Sequence, residues 1–159
     1  MDMTITASAF SANQSIPSLY TCEGKDISPA LNWQNVPAQA KSLVLIVDDP
    51  DAPDPKSPQR TWVHWVLYNI PAQTNGLPEN VGVLNLPQGT LNGLNDWNRE
   101  GYGGPCPPIG EHRYFFKLYA LNTVLPDLHK PTKAQLLQAM QGKVIQEVQM
   151  IGLYQKQKK

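Results

Sequence analysis

The chain has 159 residues, with 13 Lys and Arg balanced by 13 Asp and Glu, so its formal charge is zero. That balance lacks the basic footprint that nucleic-acid binding requires, and no stretch approaches the ~18 apolar residues of a membrane span, so neither nucleic acid nor stable membrane insertion is expected. One domain covering 1–159 is expected from the length, and the 15 prolines and 11 glycines cut the chain into pieces of strand length rather than helix length.

Met1–Phe10 has no basic start followed by an apolar run, so a soluble, unexported, cytoplasmic protein is expected. Thr4–Ser8 and Leu31–Trp33 read as short strands. Ser42–Val47, Ser-Leu-Val-Leu-Ile-Val, is a continuous aliphatic run suited to a central strand covered on both faces, ending at Asp48. In Trp62–Asn69, alternation places Trp62, His64, Val66 and Tyr68 on one face and Val63, Trp65, Leu67 and Asn69 on the other. From Leu77 to Tyr102 the chain is rich in Asn, Gly and Pro, with Val81–Leu86 its one strand-length apolar run. A surface excursion of that length is expected to wall a site.

Tyr114–Leu121 alternates Tyr114, Phe116, Leu118 and Ala120 against Phe115, Lys117, Tyr119 and Leu121. Helix is predicted only at Thr132–Gln141, where Thr132 caps, Leu136, Leu137 and Met140 form a stripe, and Gly142 stops it. Val144–Tyr154 is read as a last strand. The terminal Lys156, Lys158 and Lys159 read as a solvated tail. Two cysteines, Cys22 and Cys106, are too few for a disulfide framework; two free thiols are favoured, with a single bridge as the alternative.

Three groups of residues carry chemistry. Asp48-Asp49-Pro50-Asp51-Ala52-Pro53-Asp54 is either an acidic solvated turn or a rigid turn that aims one aspartate over the sheet while the next faces solvent. His64 on its strand is either a hydrogen-bonded core residue or a functional one. His112 leaves the stiff run Gly104-Pro105-Cys106-Pro107-Pro108-Ile109-Gly110-Glu111, where it is suited to proton transfer, anion binding or metal ligation. If the two histidines converge with Asp49 or Asp51, the result is a small pocket of two imidazoles, a carboxylate, a tyrosine and the backbone N–H groups of Gly103 and Gly104. Such a set suits a phosphate monoester.

These residues resemble the phosphatidylethanolamine-binding proteins, in particular their bacterial and archaeal Raf-kinase-inhibitor-like branch. The likeness rests on Tyr20-Thr21-Cys22-Glu23-Gly24, Ser28-Pro29, Leu31-Asn32-Trp33, Asp49-Pro50-Asp51-Ala52-Pro53, Trp62 with His64, and Gly104-Pro105 with Gly110, His112, Arg113 and Tyr114. It implies a large antiparallel sheet packed on a smaller one with a few short helices. It also implies an anion pocket lined by Asp49, His64 and His112, with Pro53, Trp62, Gly104, Pro105 and Tyr114 as walls and donors. Asp51 and Arg113 would be structural, and the Ala52–Pro53 and Arg60–Thr61 bonds cis. With only Gln155–Lys159 after Tyr154, the C-terminal helical extension of eukaryotic members is not expected.

The reading that follows is a non-catalytic binding protein without cofactor or metal, holding a phosphorylated small molecule or side chain; the resemblance makes a homodimer one alternative to a monomer. Its affinity for a dianion would rise as pH falls through the histidine transition. The alternatives are an inhibitor of a kinase or peptidase, with Pro50–Pro58 as the contact surface and an unknown protein partner, and a metal-dependent hydrolase built on two histidines and an aspartate.

Overall fold

The computed structural model describes residues 2–157, so Lys158 and Lys159 of the basic tail lie outside the described residues. Eight strands form two antiparallel sheets: β1 (Thr4–Ala7), β2 (Leu31–Gln34), β3 (Ser42–Ala52), β4 (Arg60–Pro71), β5 (Gly76–Leu77), β6 (Leu91–Asn92), β7 (His112–Leu121) and β8 (Val144–Tyr154). The small sheet runs β1-β2-β5 and the large one β6-β4-β3-β7-β8. One α-helix, α1 (Lys133–Met140), and a 3-10 turn at Ser18–Tyr20 complete the described elements. Val81–Leu86 forms turns rather than a strand. No helix among the described residues is long and apolar enough to cross a membrane.

The aliphatic run of β3 is central because both of its faces are covered. Leu43, Leu45 and Val47 meet Ile5, Leu31 and Trp33 of the small sheet in one core, while Val44 and Ile46 meet Leu136 and Met140 of α1 in another. The helix starts where Thr132 accepts from the Gln135 amide and the Gln135 side chain accepts from the Thr132 amide, a capping box. It stops before Gly142, whose φ of +75° suits glycine.

Three departures from the sequence reading shape the functional end. β3 continues through the acidic stretch to Ala52 instead of stopping at Val47, because Asp48 and Asp49 keep pairing with Val63 and Trp62 of β4. In β4, Trp65 pairs with Val47 and Val63 with Asp48, leaving His64 as an inserted residue. Such a bulge breaks strict alternation. Val63 therefore joins Val66 and Tyr68 on the helix side, while Trp65 and Leu67 face the small sheet; the predicted grouping of Trp62 and His64 with Val66 and Tyr68 does not hold. Finally, the Ala52–Pro53 bond is cis but the Arg60–Thr61 bond is not; Arg60 and Trp62 already pair with Ala52 and Asp49 in an extended strand.

Candidate functional site

The acidic end of β3 is neither a solvated turn nor a chain of competing carboxylates. Alternation sends Asp48 to the helix side, where its Oδ2 meets Lys117 Nζ at 3.1 Å and Lys133 Nζ at 2.5 Å. Asp49 points to the opposite face and its Oδ2 lies 2.6 Å from His112 Nδ1. Asp51 accepts from the Arg113 backbone amide, Nε and Nη2 at 2.9, 3.0 and 2.9 Å. All three aspartates are buried, so the expectation that one faces solvent fails: each carboxylate acquired a cationic or imidazole partner. The Arg113 bonds hold the Asp51 carboxyl below the usual carboxylate range, whereas burial raises that of Asp49 despite its bond to His112.

His112 opens β7, and every polar neighbour of its ring is an acceptor. Nδ1 faces the Asp49 carboxylate; Nε2 faces the carbonyls of Ile109 at 2.9 Å and Pro53 at 3.1 Å. Both ring nitrogens are therefore engaged by acceptors of the protein itself. Neither N–H is left over for an anion.

His64, re-aimed by the bulge, is 3% exposed, and its Nδ1 lies 2.7 Å from the Gly103 carbonyl. That carbonyl requires the proton on Nδ1, leaving Nε2 as an acceptor. Burial pushes the His64 pKa down to about 4, so at neutral pH the ring carries no charge.

A cavity of about 310 Å³ opens beside these groups. Asp49, Pro53, Trp62, His64, His112 and Tyr114 line it as expected from the sequence; Arg60, Trp97, Cys106, Pro107 and Pro108 line it as well. Trp97 stands edge-on to both Trp62 and His64, with ring centroids 5.5 and 5.2 Å apart. It comes from the long Leu77–Tyr102 excursion, so that segment does wall the site, although nothing in its composition singled out this residue. Arg60 starts β4 at the rim, exposed and without an ion pair among the described residues. Tyr114, 1% exposed, has a hydroxyl with no hydrogen-bond partner among the described residues. Burial raises its pKa far above the usual phenol range, so it stays a donor.

Gly104 and Pro105 do not line the cavity, and the glycine amides are spent. Gly103 N donates to the His64 carbonyl at 3.0 Å and Gly104 N to Asp26 Oδ1 at 2.7 Å. Glycine is needed there for close approach: a Cβ would fall 2.2 Å from the Trp97 ring at Gly103 and 2.3 Å from the Tyr20 carbonyl oxygen at Gly104. The free-thiol expectation is also overturned. Folding brings the Cα atoms of Cys22 and Cys106 to 5.4 Å, and the two form a disulfide across 84 residues of sequence.

A two-sheet β protein with a small aromatic-walled pocket at the end of its central strands is a binding-protein architecture. A family model for phosphatidylethanolamine-binding protein matches residues 6–155; the chain belongs to that family. A UPF0098 protein of Methanothermobacter thermautotrophicus is 50% identical over 155 residues, covering 97% of this chain and 99% of the relative. The crystal structure of a putative family homologue from Chlamydia trachomatis is 42% identical with a TM-score of 0.89, covering 98% of each chain. That of Escherichia coli YbcL is 30% identical with a TM-score of 0.88, covering 99% of this chain and all of that one. A phosphatidylethanolamine-binding protein from Plasmodium vivax, at 15% identity and a TM-score of 0.58, shares the fold; 94% of this chain and 84% of that one align.

Proposed function

We propose that the protein is a non-catalytic binding protein whose pocket holds a small phosphate-bearing ligand with a hydrogen-bond donor of its own, of the phosphoethanolamine type. The observation that carries this reading is the buried Tyr114 hydroxyl on the pocket wall, unpartnered among the described residues while Arg60 stands at the rim. A buried donor without an acceptor is costly, and an anionic oxygen supplies one. Arg60 contributes positive charge at the rim.

His64 takes a different role from the one its residue type first suggests. As a neutral ring with Nδ1 committed to Gly103, it accepts from an ammonium or hydroxyl of the ligand. The Trp62 and Trp97 rings offer aromatic surface to the ligand's carbon portion or cation. The rise in affinity expected through the ordinary histidine range is therefore not predicted; instead, protonation of His64 near pH 4 removes this acceptor and should weaken binding. The metal-hydrolase alternative is disfavoured by the donor set: among the described residues no group of three His, Cys, Asp or Glu side chains could hold an ion.

Calorimetric titration tests the reading with phosphoethanolamine, inorganic phosphate and ethanolamine. Phosphoethanolamine should bind tightest, and Tyr114→Phe and Arg60→Ala should each weaken it by about tenfold, the worth of one charged hydrogen bond. Equal affinity in wild type and both variants would sink it.

A further inference from the structure

We propose that the Cys22–Cys106 disulfide is a reducible modification site that tethers the pocket wall, and that a dithiol acting on it weakens ligand binding. The proposal rests on the reading of this cavity as a binding site, but its structural half stands apart from the ligand's identity.

Cys106 is half-buried and lines the cavity, whereas Cys22 on the other side of the bond is exposed. The wall that follows has few hydrogen bonds, although Pro107 is buried. Pro107 and Pro108 have no N–H, and among the described residues no backbone N–H from Cys106 to Glu111 donates a hydrogen bond. Two carbonyls hydrogen-bond at the wall: Pro105 O, just before it, accepts from Cys22 N at 3.1 Å, and Ile109 O, within it, accepts from His112 Nε2 at 2.9 Å. Upstream the strap is better secured, with Tyr102 Oη on the Tyr20 carbonyl and Gly104 N on Asp26, each at 2.7 Å. The sulfur bridge is thus the fixed point from which the wall Cys106–Glu111 extends to His112.

The chemistry is thiol–disulfide exchange. A thiolate of the dithiol attacks Sγ of Cys22, the S–S bond breaks, and Cys106 leaves as a thiolate that takes up a proton. The second thiol of the reductant then attacks the mixed disulfide and releases Cys22 as a thiol. The protein gains two electrons and two protons, and the reductant ends as its own disulfide. Released, the wall carries the Ile109 carbonyl away from His112 and disturbs the Asp49–His112 pair. Linkage makes the effect reciprocal: a ligand seated against Cys106 protects the bond from reduction by the factor that reduction costs in affinity.

The folded protein is treated with dithiothreitol without denaturant, thiols are counted by alkylation and mass spectrometry, and both forms are compared by amide exchange and by titration with phosphoethanolamine. Reduction should proceed in proportion to dithiol concentration. Exchange should quicken by about tenfold or more at the Cys22 and Gly104 amides while those of Leu43 and Leu45 stay protected, and affinity should fall by about tenfold. A reduction rate independent of dithiol, exchange spreading to Leu43 and Leu45, or unchanged exchange at Cys22 would each overturn the proposal, as would unchanged affinity in the reduced form. If the oxidised protein does not bind phosphoethanolamine, it is the proposed ligand that fails, and the exchange comparison decides the redox proposal by itself.

Discussion

Acid should weaken this fold in a manner traceable to one side chain. His64 is 3% exposed and burial pushes its pKa from 6.5 down to about 4. Between those values the unfolded chain binds a proton that the folded chain refuses, so stability falls as pH drops and is complete only above the unfolded value. At about 1.36 kcal/mol per unit, the full gap is worth about 3 kcal/mol, of which about 2.5 kcal/mol is already lost at pH 4.5. His64→Asn removes the titration while its amide nitrogen, placed near Nδ1, can still donate to the Gly103 carbonyl. The variant should be less stable than wild type at pH 7.5, because the ring also packs edge-on against Trp97 and Tyr114 with centroids 5.2 Å away. Urea unfolding at pH 7.5 and 4.5 reads the difference of differences, in which titrating groups that do not interact with His64 cancel. Wild type should lose about 2.5 kcal/mol more than the variant over that interval; equal losses would refute the assignment of a neutral buried imidazole.

Tyr114→Phe should leave the unfolding free energy unchanged or raise it by about 1 kcal/mol, because it removes a buried hydroxyl that has no partner among the described residues; a clear loss in thermal unfolding would show that the hydroxyl is already satisfied. Asp51→Asn should cost about 2 kcal/mol at pH 7 through its three bonds to Arg113. Because the Asp51 pKa is lowered in the fold, that cost should be present above the unfolded carboxylate pKa near ~3.9 and vanish as pH falls through the folded value. A cost that persists at pH 2 would contradict the ionic origin.

The parts of the molecule that were legible in the sequence are those governed by local pattern. Continuous burial in Ser42–Val47 and strict alternation in Tyr114–Leu121 announced β3 and β7, and the Thr132 and Gly142 signals bounded α1. Motif resemblance brought Asp49, His64, His112 and Tyr114 to one cavity. What stayed hidden depends on contacts between distant segments. A bulge is invisible to period-two alternation, which places His64 on the wrong face. Gly104 looked like an anion donor because nothing nearby in sequence revealed Asp26 as its acceptor. The disulfide joins residues 84 apart, and two cysteines at that spacing carry no local sign of being neighbours. Arg60 and Trp97 became pocket residues only through the pairing of β3 with β4 and the return of the long excursion.

The central claim, that this cavity holds a small phosphate-bearing ligand, is tested most directly by the four tryptophans. Trp62 and Trp97 line the cavity, while Trp33 and Trp65 lie buried in the core. In a titration of ¹⁵N-labelled protein with phosphoethanolamine, the indole Nε1–H signals of Trp62 and Trp97 should move saturably while those of Trp33 and Trp65 stay in place. Movement of none of the four, or of all four alike, would contradict it.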